Sequence, residues 1–209
     1  MAAAAKRKND ACDFLRRIQG CLHGGLGPGL QGLHHLSAER GDRVGGTWRD
    51  NTYPGAACDI PSRLYSYSFA PNPEWSHTYS GSDEILGYID SMVESFGIAP
   101  HVRFGHNVTG VEYDEVAGKW TVNFEGREPV QARAVIVASG PLANASFPKI
   151  PGIETYEGHK IHSARWDHDY DFAGKKVAVV GTGASGVQIV PELVKVAESV
   201  KVFQRTPGW

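Results

Sequence analysis

Apolar and polar positions repeat with a helical period after residue 82. Five apolar side chains recur there at the spacing of one helix face: Ile85, Ile89, Met92, Val93 and Phe96. Ser82 precedes them and is followed by two acidic residues, which is typical of a helix N-terminus. The pattern predicts a helix over residues 83–96 that ends near Gly97.

Short runs rich in β-branched and aromatic residues predict strands in the next part of the chain. The runs at 108–113 and 120–124 are separated by Gly118, which favours a small meander. The meander leads into residues 134–138, an apolar run that we predict to be a buried strand. This strand should end at the turn-forming sequence 139–141.

The clearest pattern lies near residue 180, where a strand-like run, three glycines, a helical pattern and a second strand-like run follow one another. The two runs cover residues 175–180 and 200–203. Four apolar side chains between them share one helical face: Val187, Val190, Val194 and Ala197. Pro191 lies within this helix, and we expect it to kink or loosen the helix. The order of elements predicts a βαβ unit.

The glycines of this unit have the spacing GxGxxG between a strand and a helix, which is the context of a dinucleotide-binding turn. Gly181 allows the tight turn, Gly183 lets the backbone approach a pyrophosphate, and Gly186 lets the helix pack close to the strand. The N–H groups that open the helix would then face the phosphates. We predict a dinucleotide site here. A glycine-rich turn with a purely structural purpose is the alternative.

The residues after the second strand favour NADP over NAD. NAD-binding proteins place an acid there, against the ribose hydroxyls, whereas this chain has Gln204, Arg205 and Thr206. A guanidinium and a hydroxyl suit a 2′-phosphate, which a carboxylate would repel. The alternative is an exposed arginine at a strand end.

The N-terminal residues have no clear pattern. Residues 11–40 are rich in Gly and His and show neither helical nor strand periodicity. Gly27 to Gly32 also satisfy GxGxxG, but no strand precedes them and too few residues follow before Glu39 for a crossover helix. We therefore do not predict a second site there. Residues 41–81 are turn-rich and aromatic, which predicts a long ordered loop or a set of turns.

Bulk composition excludes several classes of function. The 209 residues are 41% apolar and 10% aromatic, enough for a packed core. The net charge of -2, with Lys6 to Lys8 as the only basic run, disfavours a nucleic-acid partner. Three cysteines without CxxC spacing indicate neither a disulfide framework nor a zinc or other metal site. With no apolar run of roughly 20 residues to span a membrane, we expect a cytoplasmic protein.

Three separated motifs resemble the Baeyer-Villiger monooxygenases, a branch of the class B flavoprotein monooxygenases. The fingerprint of that family, F-x-G-x-x-x-H-x-x-x-W followed by Pro or Asp, is similar to residues 156–167, with Tyr156 in place of Phe. Residues 45–59 resemble the flavin-contacting loop, and residues 203–209 resemble the strand end on the nicotinamide side. The resemblance covers about residues 39–209.

The resemblance implies a flavin enzyme in which FAD accepts hydride from NADPH and activates O2. One oxygen atom would then be inserted into a ketone, or a heteroatom would be oxidised. The Trp166-Asp167 ending favours the Baeyer-Villiger branch over the N- or S-oxygenating flavin-containing monooxygenases. The cofactor supplies the difficult chemistry, and the protein supplies orientation and electrostatics.

The resemblance also assigns roles to residues. Glu39 would hold the FAD ribose hydroxyls, and the backbone of Val108 would meet the adenine. The residues implied to line the flavin are Gly45, Gly46, Thr47, Trp48, Asp59 and Tyr65. The residues implied to face the nicotinamide are Ala57, Cys58 and Asp59. The residues implied to bind the rest of NADP are Gly181, Thr182, Gly183, Ala184, Ser185, Gly186, Gln188, Arg205 and Thr206.

One catalytic role is implied, because Asp59 in the family positions a catalytic arginine. Simpler interpretations stay open: Asp59 as the cap of a turn, and Trp48 and Tyr65 as core aromatics. His162 and Trp166 fit an interdomain hinge better than chemistry. Cys58 fits a small buried residue better than a nucleophile.

The expected architecture is α/β, with two dinucleotide-binding, Rossmann-like domains that are both incomplete. Residues 1–38 would be irregular, 39–145 a partial FAD-binding domain, 146–174 a linker that carries the fingerprint, and 175–209 the start of an NADP-binding domain. The family opens with its own glycine motif, which the N-terminal residues lack. If suitable synonymous codons are assumed, reading Gly20 to His35 one base later gives a helix-like run and then a strand that leads to Glu39. We therefore hypothesise a frameshift there, with the frame restored near Ser37.

We also expect this chain to be inactive by itself, because it lacks the family's catalytic arginine and the substrate-pocket segments. The alternative is a non-catalytic remnant with residual NADP binding. No motif specifies the ketone or heteroatom substrate, or the oligomeric state.

Overall fold

The computed structural model describes residues 36–140 and 144–205. The frameshift hypothesis, the upstream glycines and the predicted role of Thr206 concern residues outside these ranges. The helices and strands, in chain order, are β1 Ser37–Ala38, α1 Thr47–Asp50, α2 Ser82–Ser95, β2 Val102–Arg103, β3 Val108–Asp114, β4 Lys119–Phe124, β5 Arg127–Ala132, β6 Lys176–Val180, α3 Ala184–Val194 and β7 Ser199–Phe203. Short 3-10 turns lie at Ser62–Leu64, Ala99–His101 and Ile153–Thr155.

The fold is α/β, as predicted, and its contacts divide the described residues into two compact units. The first contains residues 36–46, 67–70 and 88–140. The second contains residues 47–66, 71–87 and 144–205. The assignment of residues to two incomplete dinucleotide-binding domains stays a prediction.

The first unit contains two small sheets. Strand β1 pairs in parallel with β2, so Ser37 and Ala38, which we counted with the irregular segment, form a short strand. Strands β3, β4 and β5 form an antiparallel meander, which confirms the prediction for the first two. Tyr113 on β3 lies opposite Trp120 on β4, with ring centroids 5.0 Å apart. Such cross-strand aromatic pairs stabilise a sheet face.

The prediction of a buried strand at residues 134–138 is wrong. These residues belong to no helix or strand, and Ile136 and Val137 are 53% and 72% exposed. A strand forms only where a neighbouring strand accepts and donates its backbone hydrogen bonds, and none of the described strands lies beside this run. The third strand of the meander is instead β5, whose polar sequence gave no apolar signal.

The predicted helix over residues 83–96 is confirmed as α2, and it ends before Gly97, whose φ is +60°. Its first-turn acids, Asp83 and Glu84, lie at the positive end of the helix dipole.

The second unit contains the predicted βαβ unit. Strands β6 and β7 pair in parallel, with Val177 opposite Val200 and Val179 opposite Val202. Helix α3 connects them and continues through Pro191 to Val194. The core of this unit comprises Tyr53, Ala56, Ile189 and Leu193, with half-buried Trp166, Phe172, Val177, Val179 and Val200 packed against it.

The buried side of α3 is not the stripe that the helical pattern singled out. Ile189 and Leu193 are buried, whereas Val187 and Val194 are 64% and 61% exposed. Because the helix is apolar on two sides, periodicity cannot tell which side meets the strands and loops of this unit.

Strand β6 and helix α3 approach each other closely at the third glycine. A Cβ on Gly186 would lie 2.5 Å from the carbonyl oxygen of Gly181, which is closer than side chains are observed to pack. A Cβ on Gly183 would meet no atom within 4 Å. The close approach therefore requires glycine at 186 and leaves position 183 free.

We expect Gly186→Ala to lower the free energy of unfolding by about 1 to 3 kcal/mol, the usual cost of overpacking. The matched variant Gly183→Ala should change it by less than about 1 kcal/mol, since its Cβ points into open space. Urea denaturation followed by circular dichroism measures both. Equal effects of the two substitutions would contradict the close approach at Gly186.

Candidate functional site

The turn between β6 and α3 has an open helix N-terminus. The N–H of Gly181 donates to the carbonyl of Phe203 at 2.9 Å, and its φ of +111° is accessible mainly to glycine. Gly183 is the extended N-cap residue, and its position is capped by no described side chain. The first N–H groups of α3 are therefore available to a phosphate, as they are in dinucleotide-binding turns.

Arg205 follows β7 at the edge of the small parallel sheet where the carboxyl ends of β6 and β7 lie together. The hydrogen bond from Gly181 to Phe203 joins the glycine turn to the end of β7, two residues before Arg205. The guanidinium is exposed. Arg205 therefore follows the strand end that is hydrogen-bonded to the glycine turn, and its role at the 2′-phosphate stays a prediction.

The side chain of Gln188 contacts the loop at residues 53–57, which sequence analysis did not predict. Its Nε2 donates to the carbonyl of Ala57 at 2.9 Å, and its Oε1 accepts the hydroxyl of Tyr53 at 2.8 Å. The N–H of Ala57 also points to Oε1, at 3.4 Å. The side-chain amide of Gln188 thus contacts both the N–H and the carbonyl of Ala57. The predicted role of Gln188 at NADP stays a prediction.

The same loop meets the backbone of α3 at Gly55. A Cβ on Gly55, whose φ is +79°, would lie 2.7 Å from the carbonyl oxygen of Gln188 and 3.1 Å from Cγ of Glu192. Both the space and the backbone conformation therefore require glycine here. Tyr53 and Ala56, on either side, are buried in the core with Ile189.

Residues 57–59, predicted to face the nicotinamide, lie beside a buried network of small polar side chains. Cys58 is buried, as predicted, and its N–H donates to the carbonyl of Ser80 at 3.0 Å. Ser62 accepts the N–H of Ser80 at 2.8 Å, and its one O–H lies within hydrogen-bond distance of the carbonyls of residues 77 and 78. Asp59, which we singled out as the catalytic candidate, is exposed. The network holds this segment in place and leaves the carboxylate at the surface.

Among the predicted flavin-lining residues, Trp48 and Tyr65 are in contact. Their rings meet edge to face with centroids 5.2 Å apart, and both are half-buried. Thr47 begins the one-turn helix α1, and the carbonyl of Thr47 accepts a hydrogen bond from the side-chain amide of Asn51 at 2.8 Å. Gly45 and Gly46 precede this helix with positive φ. An aromatic pair is compatible with a flavin site and with a purely structural cluster, so the flavin role stays a prediction.

Glu39 and Val108 lie in the first unit. The N–H of Glu39 donates to the carbonyl of Arg103, and the carbonyl of Glu39 accepts the N–H of His106, two residues before Val108. Oε1 of Glu39 accepts the N–H of Gly41 at 2.8 Å. Glu39 therefore stands at the end of a parallel strand, which is where carboxylates bind ribose hydroxyls in dinucleotide-binding folds.

The fingerprint segment packs within the second unit. The ring of Tyr156 lies against Gly158, where a Cβ would overlap it. Trp166 stacks on Phe172 with centroids 5.4 Å apart and packs against the core. His159 pairs with Asp167 at 2.9 Å. The motif residues Tyr156, Gly158 and Trp166 thus have structural contacts here, and the interdomain hinge stays a prediction.

The structure groups the predicted site residues by unit. Those in the first unit are Glu39, Gly45, Gly46 and Val108. Those in the second unit are Thr47, Trp48, Ala57, Cys58, Asp59, Tyr65, Gly181, Thr182, Gly183, Ala184, Ser185, Gly186, Gln188 and Arg205. Within the described residues, no helix is both long enough and apolar enough to cross a membrane.

The sequence matches the family described as flavin-binding monooxygenase-like over residues 12–209. We expected the resemblance to begin at about residue 39, so the match extends further towards the N-terminus than predicted.

Curated relatives include Baeyer-Villiger monooxygenases from two bacteria. The protein from Streptomyces coelicolor is 47% identical over 197 residues, which cover 92% of this chain and 38% of that relative. The protein from Pseudomonas aeruginosa is 39% identical over 174 residues, which cover 83% of this chain and 33% of that relative. The chain therefore spans about a third of the length of these relatives.

Similar solved structures include two with a bound nicotinamide coenzyme. The complex of OTEMO with FAD and NADP has a TM-score of 0.80 and 36% identity, covering 95% of this chain and 37% of that one. Oxidized steroid monooxygenase bound to NADP has a TM-score of 0.77 and 42% identity, covering 86% of this chain and 35% of that one.

The segment 76–80, whose Ser80 carbonyl accepts the N–H of Cys58, is attached to α2 by hydrogen bonds to a carboxylate. Because a carboxylate titrates, this contact responds to pH. The carboxylate of Glu84 accepts the N–H and the hydroxyl of Ser76 at 2.8 and 2.7 Å. These hydrogen bonds hold the pKa of Glu84 below its ordinary value of 4.5. Because the folded pKa is lowered, the stability from this contact is present above pH 4.5 and is lost as the pH falls through the folded pKa.

We expect Glu84→Gln to lower the free energy of unfolding near neutral pH by less than about 1 kcal/mol, since the contact is partly solvated. The difference from the natural chain should shrink once the pH falls below 4.5. Urea denaturation at a series of pH values measures this difference. Glu74→Gln is the control, as this exposed acid lies in the same loop. A difference that grows with acidity would contradict the assigned contact.

Proposed function

Because the chain belongs to the flavin-binding monooxygenase-like family, we propose that it is part of a Baeyer-Villiger monooxygenase that uses FAD, NADPH and O2. One atom of O2 is inserted into a small ketone, and the other leaves as water. The observation that carries this proposal is the open turn at Gly181 to Gly186, which is hydrogen-bonded to the end of β7, two residues before Arg205. The relatives' solved complexes with FAD and NADP support the same pair of cofactors.

The residues present fit a dinucleotide. No described side chain caps the helix N-terminus. The space that a Cβ on Gly183 would occupy contains no protein atom within 4 Å, so it is open to a phosphate. The N–H groups of residues 184–186 donate to the pyrophosphate, and Arg205 pairs with the 2′-phosphate. Residues 57–59 face the nicotinamide, with Asp59 holding the arginine that the family places there. When bound, FAD supplies the oxygen chemistry.

Two sets of residues are proposed to contact the flavin, as the resemblance implies. Glu39 accepts hydrogen bonds from the ribose hydroxyls, and the backbone at Val108 meets the adenine. Trp48 and Tyr65 give an aromatic wall to the isoalloxazine. We propose the cytoplasm as the location, where Cys58 remains a free thiol. An N- or S-oxygenating enzyme and a non-catalytic remnant are the outcomes against which the proposal is tested.

We expect Arg205→Ala to weaken NADP+ binding by roughly 10- to 100-fold, the loss of a charge-assisted hydrogen bond, with little effect on NAD+. Lys201→Ala is the matched control, because Lys201 is an exposed cation on β7, the strand that Arg205 follows. Calorimetric titration of both coenzymes measures the affinities. Equal loss for NADP+ and NAD+, or no preference in the natural chain, would remove the coenzyme assignment.

We expect the chain to bind added FAD, with absorbance at about 450 nm retained after desalting. Glu39→Gln should raise the Kd for FAD by roughly tenfold, because a neutral amide accepts the ribose hydroxyls less strongly. Glu112→Gln, a change of an exposed carboxylate in the same unit, should have no effect. Quenching of flavin fluorescence measures the Kd. Protein that is colourless after incubation with excess FAD and desalting favours the remnant.

A further inference from the structure

We propose that Gln188 is a positioning residue: together with Tyr53 it fixes the nicotinamide-facing segment 57–59 relative to the phosphate-binding turn. This inference rests on the proposed function, since it concerns the same coenzyme site. It differs from the role of direct NADP ligand that the resemblance gives to Gln188.

The hydrogen bonds of the Gln188 amide are already largely used within the protein. Its Oε1 faces two donors, the hydroxyl of Tyr53 and the N–H of Ala57. Of the two hydrogens on Nε2, one is donated to the carbonyl of Ala57. An amide has one oxygen and two N–H donors, so a single N–H remains for a coenzyme. Most of the hydrogen-bonding capacity of the Gln188 side chain is therefore used by the loop and not by a ligand.

The packing under these hydrogen bonds leaves the loop little freedom. Gly55 lies against the carbonyl of Gln188 with no space for a Cβ, and Tyr53 is buried beside Ile189. A sliding of the loop along α3 would break the paired hydrogen bonds and open a void in the core. The loop is thus attached at one defined place on the helix.

That place is close to the coenzyme site. Gln188 lies five residues after the N-cap Gly183, which is about 7.5 Å along a helix axis. The amide therefore sets the distance between the groups that hold the pyrophosphate and the segment that faces the nicotinamide. Releasing the loop should weaken the contribution of the nicotinamide half to binding and spare the adenosine half.

The test compares two ligands on the full chain, NADP+ and 2′,5′-ADP, which lacks the nicotinamide. Tyr53→Phe removes only the hydroxyl that donates to Gln188, and Gln188→Met removes the amide at similar volume. Each should raise the Kd for NADP+ about fivefold, the size of one lost hydrogen bond, and change that for 2′,5′-ADP less than about twofold. Tyr79→Phe, at an exposed tyrosine of the same unit, is the matched control and should change neither.

The double variant Tyr53→Phe, Gln188→Met separates the roles further. If both residues act through one contact, its effect on NADP+ should be close to that of either single variant. Hydrogen exchange of the Ala57 amide without coenzyme should rise in both single variants. A Tyr53→Phe chain that binds NADP+ normally, while Gln188→Met does not, would show Gln188 to be a direct ligand and overturn the inference. A natural chain that binds neither ligand would instead overturn the proposed function.

Discussion

The second unit depends on the contact between a loop and a helix that can form only because residue 55 has no side chain. The backbone of Gly55 lies against the carbonyl of Gln188, and this closeness brings the Ala57 peptide within reach of the Gln188 amide. A larger residue at 55 would move the loop away from α3. It would thereby separate Nε2 of Gln188 from the carbonyl of Ala57, and Oε1 of Gln188 from the N–H of Ala57. The buried positions of Tyr53 and Ala56 follow from the same approach, as does the choice of Ile189 and Leu193 as the buried side of α3.

Polar side chains hold the rest of the loop where regular secondary structure is absent. Ser62 and Ser80 are almost fully buried, and their hydroxyls bond to the backbone and to each other. Such buried hydroxyls are stable only when their hydrogen bonds are made, and here they bind the turn at 62 to the segment 77–80. Buried hydrogen bonds therefore hold this irregular loop in a defined conformation, which is needed if it is to face a cofactor.

Local patterns explain why the βαβ unit and α2 could be predicted and other features could not. The strand at 176–180, its glycines and α3 are contiguous, so their signals are complete in the sequence. The strand at 127–132 has no apolar pattern of its own and exists through pairing with 119–124, while the apolar run at 134–138 lacks a described neighbour and forms no strand. Gln188 and Ala57 are 131 residues apart, so no local pattern could reveal their contact.

The successive turns of α3 have different tasks, and the choice of residue at each follows from its task. The first turn keeps its N–H groups uncapped, which suits a ligand with phosphate oxygens. The next residues provide Ile189 and Leu193 to the core. Gln188 lies between the first turn and Ile189, and its side chain contacts both the N–H and the carbonyl of Ala57. A carboxylate lacks the donor, an ammonium lacks the acceptor, and an apolar residue lacks both. An amide on a side chain long enough to cross from helix to loop meets all of these requirements, which is why the loop's position is defined by glutamine at 188.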